Sequence, residues 1–153
     1  MLALVEDEDI LRYTRVPAGA DEQFVRGWIA RYESGWDDGT RAGFSVRGHD
    51  ATFLGFAAVV ELDLANHEGE LGYMIAPAAR GRGVSLRALE LLTRWCFDDL
   101  GLIRAELRID VANTPSLRVA ERAGYRQDGI LRNVHFKDRL RSDVAVWSRL
   151  ASD

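Results

Sequence analysis

The sequence predicts a mixed α/β domain, a mainly antiparallel sheet flanked by helices. Residues 103–111 alternate strictly, with Ile103, Ala105, Leu107, Ile109 and Val111 apolar and Arg104, Glu106, Arg108 and Asp110 polar. That period of two marks a strand with one buried face. Two longer segments, 21–34 and 84–100, carry apolar residues at helical spacing instead. The resulting order is helix, three strands, helix, strand, helix, two strands, with no Pro/Gly/Ser-rich linker between them, which indicates one mixed layer structure over residues 1–153.

Each element has its own justification. Phe24, Val25, Trp28, Ile29 and Tyr32 form the apolar stripe of the first helix, which Ser34-Gly35 and Asp37-Asp38-Gly39 then interrupt. Ala42–Arg47 and Thr52–Leu62 read as strands joined by a turn at Gly48-His49-Asp50. The second is almost continuously apolar (Phe53, Leu54, Phe56, Val59, Val60), as a strand covered on both faces should be. Residues 70–76 make the next strand, ended by Pro77. The long helix buries Val84, Ala88, Leu91, Leu92, Trp95 and Cys96. Thr114 suits the N-cap of a short helix, Pro115 its first position and Gly124 its C-terminal reversal. Residues 125–136 and 142–149 form a terminal antiparallel pair.

Composition narrows the function classes. Hydrophobic residues at 47% and charged residues at 29% are ordinary for a globular chain, and 153 residues suffice for a substantial core. The formal net charge of −4 argues against a nucleic-acid partner. No apolar run approaches the ~20 residues of a membrane span. Met1–Val5 is followed by Glu6-Asp7-Glu8-Asp9 and lacks the basic lead of a signal peptide, so a cytoplasmic location is expected. The lone Cys96 excludes an intramolecular disulfide and reads as core filler. Three scattered histidines and one distant cysteine make no ligand pattern, so no metal is expected.

The strongest chemical signal is Arg80-Gly81-Arg82-Gly83-Val84-Ser85, between a strand and a long helix. A Gly-rich turn there leaves backbone N–H groups unpaired at the positive end of the helix dipole, a setting for phosphate or pyrophosphate. Arg80 and Arg82 can add charge-assisted hydrogen bonds.

Taken with its neighbours, this segment resembles the acyl-CoA signature of the GNAT acetyltransferase superfamily, in particular its ribosomal-protein N-acetyltransferase (Rim-like) branch. The resemblance rests on Arg80-Gly81-Arg82-Gly83-Val84-Ser85, with serine at a position usually Gly or Ala; on Glu70-Leu71-Gly72-Tyr73 before Pro77; and on Asn113-Thr114-Pro115-Ser116 followed by Ala123-Gly124-Tyr125. Gly129-Ile130-Leu131-Arg132 and Ser142-Asp143-Val144 with Trp147-Ser148 continue it. The likeness runs from about residue 10 to residue 150. Members usually begin with a strand and most of a helix before the segment resembling Asp9–Tyr13, so a GNAT-like fold lacking its first strand is implied. The strand edge so exposed would favour a homodimer or aggregation.

The resemblance implies acetyl-CoA as co-substrate, lying where the family's fourth and fifth strands splay apart. Its pyrophosphate would sit on Gly81, Arg82, Gly83, Val84 and Ser85, helped by the Arg80 and Arg82 side chains. The pantetheine arm would pair with backbone at Tyr73, Met74 and Ile75, and Asn113 would hydrogen-bond it, unless Asn113 serves as a cap. A backbone N–H of Met74 or Ile75 would stabilise the oxyanion. Ser116 would donate toward the sulfur. His135 falls where some members carry a glutamate base, and imidazole, titrating near ~6.5, can act as a general base at neutral pH. Glu70 is the competing base. His49 and His67 fall in turns and receive no role. A Ser116–His135–Asp143 nucleophilic triad lacks the turn that would present the serine.

The implied activity is N-acetylation of a primary amine, on a protein N-terminus or a small molecule, by direct attack in a ternary complex. Glu33, Asp37, Asp38, Asp63 and Glu68 with Trp28 and Trp36 could attract a cationic acceptor. A non-catalytic acyl-CoA-binding module and an aminoglycoside-type N-acetyltransferase are the alternatives.

Overall fold

The computed structural model describes the backbone of residues 1–153 and every side chain except those of Ala3 and Phe136. Two short helices, α1 (Leu2–Val5) and α2 (Glu8–Tyr13), precede α3 (Glu22–Asp37). Then follow β1 (Ala42–Arg47), β2 (Phe53–Asp63), β3 (Glu68–Ile75), α4 (Val84–Asp98), β4 (Arg104–Asp110), α5 (Thr114–Arg122), β5 (Arg126–Lys137) and β6 (Leu140–Leu150). The strands form one six-stranded sheet in the order β1-β2-β3-β4-β6-β5, antiparallel except for the parallel pair β3–β4. The predicted mixed, mainly antiparallel architecture is the one observed. β1 lies at one outer edge and β5 at the other.

Each face of the sheet has its own core. Val59, Leu71, Leu107, Ile109, Leu89, Leu92 and Tyr125 pack together under α4 and α5. Phe56, Ala58 and Met74 pack with Leu4, Ile10, Val25 and Tyr32 under α1, α2 and α3. β2 contributes to both, Ala57 and Val59 to one face and Phe56 and Ala58 to the other, which explains its continuous apolar run.

Several local expectations need correction. α3 continues through Gly35 to Asp37, because Gly35 is a packing residue: a Cβ there would lie 2.7 Å from Arg41 Cβ. On α4 the buried row is Ala88, Leu89, Leu92, Thr93 and Cys96, and Leu91 is exposed. Ile103 and Val111, just outside β4, are also exposed. The N-cap of α5 is Asn113, whose side chain accepts from the Ser116 N–H at 3.3 Å, and Thr114 is the first helical residue. The acidic opening forms α2, capped by Asp7.

Candidate active site

The sheet opens at its centre. β3 and β4 share only the rungs Glu68–Arg104, Gly69–Ala105 and Glu70–Glu106. Beyond them β3 stays on β2 as far as Ile75, whereas β4 stays on β6 as far as Asp110, so the two parallel strands part company. The hydrogen bond from Ala76 N–H to Leu54 O, at 2.8 Å, sets the phase of the β2–β3 ladder. With the register Phe56–Met74, it turns Met74 toward β2 and turns the backbone groups of Tyr73 and Ile75 toward the opening. The Ile75 carbonyl does face that way, accepting from Arg80 Nε at 3.1 Å.

The Gly-rich turn closes one end of this cleft. Gly81 and Gly83 have φ of 70° and 75°, a left-handed conformation natural to glycine. Gly83 is the N-cap of α4, and the first α4 bond onto the turn runs from Arg87 N–H to Gly83 O. Among the described residues, no well-formed hydrogen bond takes up the N–H groups of residues 81–86, and nothing lies within 4 Å of where a Cβ would stand on either glycine. This is an open row of donors at a helix start. Arg82 is exposed and, among the described residues, has no ion pair. Arg80 is engaged: besides Ile75 O, it binds Asp7 at 2.5 Å and Asp9 at 3.2 Å, tying the turn to α2. Burial pushes the Asp7 carboxyl upward, but the Arg80 guanidinium and the Ile10 N–H outweigh it and hold Asp7 below the usual carboxylate range.

α5 begins at the other side of the opening. Tyr73 reaches toward it from the α4/α5 face of β3, and its hydroxyl is buried without a hydrogen-bond partner among the described residues. Burial raises its pKa and the neighbouring Ser116 hydroxyl partly offsets this. Ser116 thus sits beside the buried Tyr73 hydroxyl.

The opposite face of the cleft is charged. Arg104 binds Glu106 at 2.6 Å and Asp128 at 2.8 Å, while Arg108 binds Glu106 at 2.8 Å and Glu70 at 3.4 Å. Glu70 therefore marks the vertex, at the last shared rung. Burial raises its pKa against the pull of Arg108, with Glu106 and Glu61 adding to the rise. Four residues further along β4, roughly 13 Å at strand spacing, Asp110 meets His135 of β5 and Ser142 of β6. His135 Nδ1 stands 3.6 Å from Asp110 Oδ2, and Ser142 donates to the same oxygen at 2.5 Å.

Neither Asp110 nor Ser142 carries a local sequence signal of a site residue. Alternation put Asp110 on the polar face of β4, but the β4–β6–β5 order that gathers the three was not legible. Asp143, the acid considered for a triad, instead accepts from the Asn133 N–H at 2.9 Å. His67 Nδ1 lies 3.2 Å from Gly101 O in the turn before β3. Of the acidic and aromatic residues considered for an acceptor, Glu33, Trp36 and Asp37 line a groove with Tyr32, Gly43 and Phe56. Trp28 packs 4.8 Å from Phe56 in the core, and Asp63 holds the Asn66 turn. Among the described residues no cluster of His, Cys, Asp and Glu could hold a metal ion, and no helix is long and apolar enough to cross a membrane.

The profile of the Acetyltransferase (GNAT) domain family matches residues 1–126. The chain belongs to the GNAT acetyltransferase family. A GNAT relative from Bacillus subtilis (strain 168), named as a ribosomal N-acetyltransferase, YdaF, is 28% identical over 143 residues, 92% of this chain and 75% of that one. Among solved GNAT structures, one described as a ribosomal-protein-serine acetyltransferase from Vibrio cholerae superposes with a TM-score of 0.75 at 26% identity, covering 85% of this chain and 75% of the other. Spermidine N-acetyltransferase from Vibrio cholerae, in complex with CoA and spermine, gives a TM-score of 0.86 at 20% identity over 97% of this chain and 86% of its own. At that identity the likeness is one of fold.

Proposed function

We propose that this GNAT N-acetyltransferase uses acetyl-CoA and transfers the acetyl group to a primary amine, on a protein N-terminus or a small molecule, by direct attack in a ternary complex. The observation that carries the reading is the conjunction of a splayed β3–β4 pair with an open row of N–H donors at the start of α4. Donors at residues 81–85, with Arg82, suit the two charges of a pyrophosphate. Arg80 shapes that turn through Asp7, Asp9 and Ile75 O and can lend charge to it. The open edge at Tyr73 and the Ile75 N–H suits an amide-bearing arm that pairs as a strand would, the Ile75 carbonyl being held by Arg80. The unpartnered Tyr73 hydroxyl beside Ser116 fits a polar ligand atom at that point.

Bound acetyl-CoA supplies an activated acetyl group. This chain's residues supply the rest. Of the two candidate oxyanion donors, Ile75 N–H is the one turned toward the cleft, and Met74 N–H belongs to the β2 ladder. Ser116 donates toward the sulfur, and the Asn113 carboxamide can hold the arm with its NH₂ while its oxygen caps α5. His135 or Glu70 takes the acceptor's proton, and their separation along β4 means that one of them, not both, stands beside the reacting nitrogen. The two relatives whose names mention ribosomal substrates favour a protein N-terminus. The groove at Glu33, Trp36 and Asp37 favours an acceptor that is cationic as it arrives. A homodimer would pair copies along β1 or β5, the two open edges.

Thiol-detected CoA release, with acetyl-CoA and a panel of peptide N-termini, polyamines and aminoglycosides, tests this. Acceptor-dependent release with intersecting double-reciprocal lines is expected. Tight acetyl-CoA binding without release for any acceptor would instead support the non-catalytic module.

A further inference from the structure

His135 stands at the end of a braced irregularity. Between the rungs Leu131–Val144 and His135–Ser142, three residues of β5 (132–134) oppose one of β6, Asp143. Asn133 takes up the excess at φ 56°, its N–H held by Asp143 Oδ1 at 2.9 Å and its carbonyl by Arg141 at 2.7 Å. Such a bulge re-aims the side chain that follows it. The carboxylate it meets is fixed on both oxygens, Asp110 Oδ1 by the Ala112 N–H at 2.8 Å and Oδ2 by the Ser142 hydroxyl at 2.5 Å. The Asp110 side chain is 9% exposed and that of His135 16%.

We infer that Asp110 is a positioning residue that holds the His135 imidazole with its proton on Nδ1 and leaves Nε2 as the basic nitrogen for the acceptor amine. The inference rests on the acetyl-transfer reading and on His135, rather than Glu70, being the base. At 3.6 Å Nδ1 and Oδ2 are within ion-pair distance and beyond hydrogen-bond distance, so the carboxylate acts on the ring electrostatically. Ser142 and Ala112 keep the carboxylate from turning away; burial raises the Asp110 pKa, but these two bonds and the nearby His135 outweigh it and hold it below the usual carboxylate range. The charged groups around His135 with identified partners are engaged elsewhere. Arg108 on β4 is paired with Glu106 and Glu70, Asp143 and Arg141 on β6 hold Asn133, Lys137 on β5 donates to the carbonyls of Leu11, Thr14 and Val16, and Arg12 on α2 lies over Tyr13. In the transfer the amine nitrogen bonds the acyl carbon as the C–S bond breaks. Of the ammonium's two surplus protons, one passes to Nε2 and on to solvent and the other ends on the leaving sulfur.

Ring-nitrogen NMR of the full chain, which has three histidines, tests this, with His135 identified by its disappearance in His135→Gln. The wild type should show His135 as the Nδ1–H tautomer. Asp110→Asn should move it to the Nε2–H form that free histidine prefers and lower kcat about tenfold with the acetyl-CoA KM within about twofold. Ser142→Ala, which leaves the carboxylate charged but unbraced, should move both readouts the same way by less, and it serves if Asp110→Asn fails to fold. A tautomer unchanged in whichever variant keeps the wild-type melting curve overturns the inference. If the tautomer moves but His135→Gln retains the wild-type rate, the hold of Asp110 on the ring stands and the base assignment passes to Glu70.

Discussion

One oxygen of Asp7 serves two elements at once: Oδ1 accepts from Arg80 at 2.5 Å and caps α2 through the Ile10 N–H at 3.0 Å. It is a direct tie between the N-terminal segment and the turn that opens α4. Asp7→Asn should keep the cap and lose the ion pair, lowering stability at pH 7 by about 1 kcal/mol at most, because the Arg80 side chain is 34% exposed. The folded-state pKa of Asp7 is depressed, so its contribution is present above the unfolded carboxylate value near ~3.9 and is lost as pH falls through the folded value. Melting temperatures of the two proteins should therefore converge in acid. Asp7→Ala should lose about ~1 kcal/mol more, and that extra loss should persist wherever the cap persists.

Gly83→Ala separates folding from binding. No atom obstructs the new methyl group, so the stability loss is the left-handed strain alone, about 1–2 kcal/mol. The methyl group would take up open space on the turn proposed to receive the pyrophosphate, and calorimetry should show acetyl-CoA binding weakened about tenfold or more.

Ser116 and Asn113 should fail differently. Ser116→Ala leaves the α5 cap intact and should lower kcat about tenfold with little change in melting temperature. Asn113→Ala removes the cap oxygen, so it should cost about ~1 kcal/mol of stability as well as raising the acetyl-CoA KM.

Glu70 is buried against its charge. Its raised pKa means that stability falls as pH rises from the unfolded value near ~4.3 through the higher folded value. Glu70→Gln should therefore melt higher than the wild type at pH 7 and no higher at pH 4. A simultaneous loss of kcat would assign it the base role and remove that role from His135.

How much of this the sequence carried depended on range. The period of two in residues 103–111 and the Gly-rich turn are local, and both survive in the structure as β4 and the α4 N-terminus. Gly35 read as a breaker because its reason, the Arg41 side chain, is a tertiary contact. Leu91 and Leu89 are two positions apart on one helix, and only the direction of the sheet decides which is covered. The Asp110–His135–Ser142 cluster needed the crossing that puts β6 between β4 and β5, together with a bulge that no periodicity announces.

Backbone-amide NMR of the isotope-labelled chain, titrated with acetyl-CoA, tests the central claim most directly. Saturable shifts concentrated at residues 81–86, Tyr73 and Ile75, with smaller ones at Asn113 and Ser116, are the predicted result. Saturable binding that leaves residues 81–86 unmoved and perturbs another surface would contradict the account.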